Sequence, residues 1–359
     1  MSNLPPSGEI PRGAIRFNTD SNKPELWDGS QWAEFQLSTP NLGRNVDTEP
    51  GARGLFAGGY QPGSYQNDID YINISSTGNT QDFGTLNNAT TAGGGVGSRT
   101  RALFAGGYIG TGPNALAQID TVVFASTGNA SDFGDMDLNH FRRGSAGNAT
   151  RGLFAGGGNP NTTDPQIDYV TIATTGTAND YGDLTQVRSR FAGAGSPTRS
   201  VFAGGFSGPS PAAVYEDVID YVTTASLGDA SDFGNLTQGK NWTAVCSNPT
   251  RLLIGGGAIA PDGNTAVSEM EYITISTTGN ATMFGDLNAV VDIGAYAGSG
   301  LASSTRGVFN TGIFKNPGTT YDNTLYYVQI STQGKAQDFG DLDGKRYGVQ
   351  TCSNGHGGL

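Results

Sequence analysis

Charge, cysteine, histidine and long apolar runs are all scarce in this chain. Charged residues make up 14% of its 359 residues, too few for a charge-driven disordered tail, and aromatics at 9% are too many for one. Lys and Arg number 20 against 32 Asp and Glu, for a formal net charge of −12. No basic cluster exceeds the pair Arg142–Arg143. A phosphate binder needs a basic stripe to release counterions, so no nucleic-acid partner is expected. No run of 18 apolar residues occurs, so no membrane insertion is expected. The opening MSNLPPSGEIPRG has neither a charged n-region nor an apolar h-region, and a secretory signal is not expected. Cys246 and Cys352, the only cysteines, do not make a disulfide framework. His140 and His356, the only histidines, lack ligand or triad spacing and are expected at the surface. No segment of length sustains a 3.6-residue period, which leaves an all-β chain.

Glycine is abundant instead, at 56 residues, without the G-X-Y period of collagen. It punctuates a repeat. The segment T-R-G-x-F-A-G-G recurs from Arg53, Arg101, Arg151, Arg199 and Arg251, with a decayed sixth copy, RGVFNTG, from Arg306; the spacings are 48, 50, 48, 52 and 55 residues. Each copy continues with a variable stretch, then an alternating strand such as IDYVTI at Ile167, a turn of the type S-T-G-N-A, a short D-F-G-D-L segment, and a small-residue strand such as RRGSAGNAT at Arg142. The period-2 alternation of IDYVTI marks a half-buried strand. Each unit therefore holds four strands: small-residue A, FAGG strand B, IDYVTI strand C and DFGDL strand D. Four strands in ~50 residues make one propeller blade, and six copies predict a six-bladed ring over residues 52–359. No strand A precedes Arg53, whereas a spare one, residues 346–354, follows the last DFGDL. The C-terminal strand is thus expected to complete the first blade. Cys246 and Cys352 then fall at matching positions of two non-adjacent blades, too far apart for a disulfide; free, buried thiols are expected.

The order of apolar strand, Gly-Gly, variable loop, alternating strand, turn, aromatic and Arg resembles the kelch blade, with Gly58–Gly59 and Gly106–Gly107 at the double glycine and Phe133, Phe233 and Phe339 where kelch blades carry Trp. The likeness covers residues 52–354 and implies a fold, not a function. Residues 1–40 read as a small β attachment or oligomerisation segment, and residues 41–51 as a linker. Two short alternating runs flank the hairpin signal Asp28–Gly29. Trp27, Trp32 and Phe35 supply apolar surface without a sizeable core, so docking on another chain or on its own oligomer is expected. This stretch resembles a short module of phage tail-fibre and other virion proteins: Gly13, Ile15, Asn18, Thr19, Asn22, Lys23, Asp28, Gly29 and Trp32 match it, and Pro24 departs from it. The FAGG, STGNA and DFGDL wording also looks like propellers of marine phage virion proteins.

Several motifs carry bland readings. DFG at Asp82, Asp132, Asp232 and Asp338 sits in a strand-turn context without kinase partners; Phe is expected to pack between blades while Asp and Gly shape the turn. The runs at Gly93 and Gly193 are followed by no helix and so form no phosphate loop. The repeated Arg and the repeated acid (Asp70, Asp120, Asp168, Asp220, Glu271) recur in nearly every unit, which suits a structural job. What varies is the B–C connection of each unit, and that set carries Tyr60, Tyr65, Tyr108, Phe206, Tyr215, Phe314 and Tyr321. B–C and D–A loops leave a four-stranded blade on one face, and variable loops on a rigid base are where recognition sits. The expectation is a non-enzymatic, cofactor-free phage virion structural protein, a tail or fibre component. It would join other virion proteins, and copies of itself, through residues 1–40, and meet a host-surface glycan or protein through the loop face. A purely structural head or neck decoration is the alternative.

Overall fold

The alternation read in the sequence becomes strands in the computed structural model, which describes residues 10–18, 23–34, 52–110, 115–159, 162–208, 214–259, 265–287, 295–296, 298–315 and 319–359. The chain divides into two compact units, Met1–Glu49 and Pro50–Leu359. In the first, strands Ile15–Asn18, Lys23–Trp27 and Trp32–Glu34 form one antiparallel sheet. The turn between the last two is held by Asp28, whose carboxylate accepts the backbone N–H groups of Ser30 and Gln31. The same bonds hold its pKa below the ordinary value. Phe35 and the linker 41–51 lie outside the described residues.

The second unit is all-β. Among the described residues it holds six four-stranded antiparallel sheets, each in the spatial order A-B-C-D. In the second sheet these are Gly94–Gly97, Arg101–Ala105, Gln118–Val123 and Ser131–Asp135. The first sheet takes its B, C and D strands from Arg53–Ala57, Asp68–Asn73 and Gln81–Thr85, and its A strand from Gln350–Ser353, paired as Gln350↔Ala57 through Ser353↔Gly54. The C-terminal strand therefore completes the first sheet, as the spare copy predicted. The apolar cores lie between sheets. Leu55, Ile69 and Phe83 of the first sheet pack with Phe104, Val122 and Phe124 of the second. Phe56 and Ile72 of the first pack with Leu301, Val308 and Phe339 of the sixth. Along the six sheets the neighbours run one to six in order, and six meets one. The A strands follow the same order of contact.

Three repeated residues make these junctions. In each sheet the C–D ladder shifts register opposite the DFG-type segment: Ile119 pairs with Gly134 and Asp120 with Asp132. Phe133 is the extra residue, a β-bulge that aims its ring into the next sheet's core. The following glycine has φ +146°, and a Cβ there would lie 2.3 Å from the Gly176 carbonyl of the third sheet. The equivalent approach recurs from Gly84 to Gly128 and from Gly340, in the sixth sheet, back to Gly78 in the first. The repeated arginine reaches the same way. Arg53 donates to the Phe124 carbonyl at 2.6 Å, Arg151 to Thr224 at 3.0 Å and Arg306 to Ile74 at 3.0 Å. Five of the six lie over their own strand-C tyrosine, as Arg53 does over Tyr71 at 4.7 Å. Arg101, whose strand carries Thr121 there, reaches Ile172 without such a ring.

The repeated acids are buried within their own sheets. Asp168 pairs with Arg143 at 2.7 Å, Asp220 with Arg188 at 2.8 Å, Glu271 with Lys240 at 2.5 Å, and Asp70 with Arg346. Asp120 instead accepts from Asn87. Each bond ties strand C to the segment leading into a strand A. Cys246 and Cys352 are free and buried, and burial pushes both thiols up. The histidines differ from the expectation. His140 is buried, and His356 is half-buried, its Nε2 on the Gly97 carbonyl at 2.7 Å while Nδ1 accepts from Gly358 N. The backbone of the glycine-rich tail crosses the ends of the A strands, with Gly357 N donating to Ser247 O.

Two outcomes follow for stability. Gly134→Ala forces a Cβ against a backbone carbonyl at a positive φ, and is expected to cost at least ~2 kcal/mol, lowering the melting temperature by ~4 °C or more. An unchanged melting curve contradicts the close approach. Deleting residues 345–359 removes strand A of the first sheet and the Arg346–Asp70 pair. It should abolish cooperative unfolding at the parent temperature, measured by calorimetry; a truncated chain that melts like the parent refutes the role of this strand.

Candidate functional site

The B–C connections are not irregular loops where the structure describes them. Tyr60–Gln61 pairs with Ser64–Tyr65, and Phe206–Ser207 with Val214–Tyr215, each a two-stranded ribbon. Isolated bridges tie these ribbons to the D–A segments: Tyr60 to Tyr347, Thr91 to Tyr108, Phe141 to Gly158 and Ser189 to Phe206. The two sets of connections thus share one end of the sheets, where the expected recognition residues stand. Tyr60, Tyr65, Tyr108, Phe206, Tyr215 and Tyr321 are all half-buried, not fully exposed as loop tips would be. Phe314 lies on strand Ile313–Lys315, its backbone opposite Ala295 and Thr320; its side chain is outside the described set.

The rings cover one another. Tyr321 stacks on Tyr347 with centroids 5.8 Å apart and planes 21° apart. Tyr347 meets Tyr60 at 5.5 Å, Tyr60 meets Tyr65 at 5.0 Å, Tyr65 meets Tyr108 at 5.7 Å, and Tyr108 meets Phe141 at 5.1 Å. Six rings from the ends of the sixth, first, second and third sheets make one continuous run. Phe206 and Tyr215 form a separate edge-on pair at 5.7 Å. Burial and the neighbouring tyrosines raise the Tyr65 pKa, so it stays a neutral phenol at physiological pH. Tyr347 and Phe141, on D–A segments, were not singled out from sequence; that B–C and D–A connections share a face was the signal that could have found them.

Inside this rim the A strands border a cavity of about 110 Å³. At its edge five equivalent residues, Ala92, Arg142, Arg190, Trp242 and Gly348, all adopt positive φ, between 54° and 63°. The cause is a backbone chain of hydrogen bonds: Ala92 N donates to Gly348 O, Arg142 N to Ala92 O, Arg190 N to Arg142 O, and Trp242 N to Arg190 O, at 2.7–2.9 Å. Holding non-glycine residues this way costs ~1–3 kcal/mol each. Arg142 lies over Phe141 at 4.5 Å and Trp242 at 5.7 Å; Arg190 lies over Phe206 at 4.7 Å and Trp242 at 5.7 Å. None of these three side chains was singled out as a site from sequence.

In the N-terminal unit Trp27 is buried and Trp32 half-buried, their rings 5.4 Å apart. Arg16 lies over Trp32 at 4.2 Å and pairs with Glu25 at 2.6 Å. The tryptophans thus pack against each other, and among the described residues of the unit the exposed large hydrophobic side chains are Ile15 and Phe17. Among the described residues no group of three or more His, Cys, Asp or Glu could hold a metal ion, and no helix is long and apolar enough to cross a membrane.

No protein-family model matches the chain, and no curated protein matches it.

If the backbone alone sets the cavity edge, the side chains there are dispensable for folding. The double variant Arg142→Gly, Arg190→Gly is expected to melt at or above the parent temperature in thermal denaturation, because glycine adopts the required φ without strain. A marked fall would instead assign the two guanidinium groups a structural role.

Proposed function

We propose that residues 52–359 form a closed, six-bladed, kelch-like β-propeller that acts by binding and not by catalysis, and that its B–C face recognises a ring-bearing ligand such as a glycan on a host surface. The observation that carries this is the six-ring run from Tyr321 to Phe141. Aromatic faces present large apolar area at little ordering cost. Here each ring is already positioned by its neighbours and by a ribbon paired to the sheet end, so little freedom is lost on binding. Support for the propeller comes from the cyclic order of neighbours, with sheet six on sheet one through Arg306, Gly340 and the core around Phe56. The likeness of residues 13–32 to a short phage virion module supports a place on a particle, with the N-terminal unit joining other virion proteins or further copies of the chain.

The test is binding of the purified full chain to host cells and to a glycan array. Replacing Tyr65, Tyr108 and Tyr321 together by Ala should weaken binding more than tenfold, a loss of ~1.4 kcal/mol or more, with a cooperative unfolding transition retained. Equal binding by the triple variant, or no binding by the parent, overturns the recognition role and leaves a purely structural head or neck decoration as the better account.

A further inference from the structure

Residues 355–359 follow the strand that completes the first sheet and meet the A-strand ends of the other five. The His356 ring bonds the Gly97 carbonyl of the second sheet at 2.7 Å. Gly358 lies on the Gly147 carbonyl of the third sheet, and Gly357 on the Gly195 and Asn248 carbonyls of the fourth and fifth, each too closely for a Cβ. Gly357 N donates to Ser247 O at 2.9 Å, and Gly355 lies beside Ser303 of the sixth sheet. His356 borders a cavity of about 60 Å³. Gly95, Ser145, Gly193, Val245, Gly300 and Thr351 line both this cavity and the one inside the aromatic rim. The two spaces thus lie end to end along the A strands, with residues 355–359 as the floor.

A carbonyl only accepts and a backbone N–H only donates. His356 therefore needs a proton on Nε2 for Gly97 O and a lone pair on Nδ1 for Gly358 N, which donates to it at 3.0 Å. Only the neutral ring supplies both. Protonation makes Nδ1 a donor aimed at another donor. No charged residue lies on the six A strands. The thiols of Cys246 and Cys352 border the same cavity, and burial pushes both up, so they stay neutral. On the turns beyond, Arg99 is exposed, and the repeated arginines turn away onto carbonyls of neighbouring sheets. Burial accordingly lowers the His356 pKa, opposed only by the Gly97 carbonyl.

We propose that residues 355–359 are an acid-sensitive floor: neutral His356 latches them across the A-strand ends, and protonation of its ring releases them and opens the space between the A strands at both ends. A ring that takes up a proton less readily when latched stabilises the latched state above its ordinary pKa of ~6.5, and that contribution is lost as pH falls below it. Between pH 7 and pH 5 the released state gains at most about 25-fold, the limit for a latched ring that never protonates. The floor uses neither the aromatic rim nor a ligand, and so stands whether or not the rim recognises a glycan.

The test follows amide hydrogen exchange at Gly357 and Gly358 in the full chain by NMR, as protection relative to the unstructured rate at each pH. Protection is expected to fall several-fold between pH 7 and pH 5, within the limit of about 25-fold. The midpoint of that fall should coincide with the titration of the His356 ring in the same sample. In His356→Asn and His356→Gln, whose amides can replace one of the two bonds but do not titrate, the fall should shrink to about twofold or less. His140, the other histidine, is common to parent and variants, so the difference belongs to His356. Equal protection at both pH values in the parent, a fall of the same size in both variants, or a midpoint away from the ring's titration overturns the latch. Exchange at Gly357 and Gly358 as slow as in the A strands means that the floor opens only with the whole array of sheets, and overturns its release. Should a variant not fold, the agreement of midpoint and ring titration in the parent decides alone.

Discussion

The pairing of Gln350–Ser353 with Arg53–Ala57 is the contact on which the other sheet-to-sheet junctions depend. It joins positions 301 residues apart, as the Arg53 N–H to Asn354 side-chain bond records. Bringing such ends together costs ~5 kcal/mol of chain entropy. Four ladder residues do not offset that alone. What offsets it is the core they complete, because Phe56, Ile72, Leu301, Val308 and Phe339 are buried together only when the first and sixth sheets meet, at ~1.5–3 kcal/mol per large side chain. Each sheet leaves an apolar face that its neighbour must cover, and without the last junction the faces of the two terminal sheets stay in water. Dominance of such non-local contacts also implies slow folding.

Within that frame the polar groups specify more than they stabilise. The Lys240–Glu271 and Arg188–Asp220 pairs have fully buried side chains. Removing two charges from water costs about what their attraction returns. What each pair does is hold the D–A segment in one place against strand C. That places the next residues, Arg190 and Trp242 among them, at the cavity edge. A buried pair two residues before a strained turn is thus a positioning device for whatever side chain the turn carries.

Much of the fold was legible in the sequence because its determinants repeat. Phe133 and Gly134 stand in a motif present in nearly every copy, and a bulge with a glycine carbonyl behind it needs those two types at that spacing. The surplus strand at residues 346–354 was legible by counting. The cavity edge was not, because the position reads Ala92, Arg142, Arg190, Trp242 and Gly348 with no residue type in common; what unites it is a dihedral angle and a chain of backbone hydrogen bonds. His356 was expected at the surface because no ligand or triad spacing surrounds it; what covers it is the glycine-rich backbone that follows, which lies against the turns at the ends of the A strands, where a Cβ on Gly357 would sit 2.5 Å from the Asn248 carbonyl.

That contrast gives a rule for separating structure from recognition in this chain. The six repeated arginines all meet the same need, a carbonyl at the start of the neighbouring sheet's C–D turn, and losing any one should act on stability. Arg142 and Arg190 break the repeat at a position where other sheets carry Ala92, Trp242 or Gly348 and where glycine adopts the required φ without strain. A cation there adds repulsion and desolvation to a turn that does not require it. The wall of Arg142, Arg190 and Trp242 belongs to the third, fourth and fifth sheets and the six-ring run to the sixth, first, second and third, so the two departures from the repeat occupy different arcs of one end of the sheets and meet only at Phe141 and Arg142.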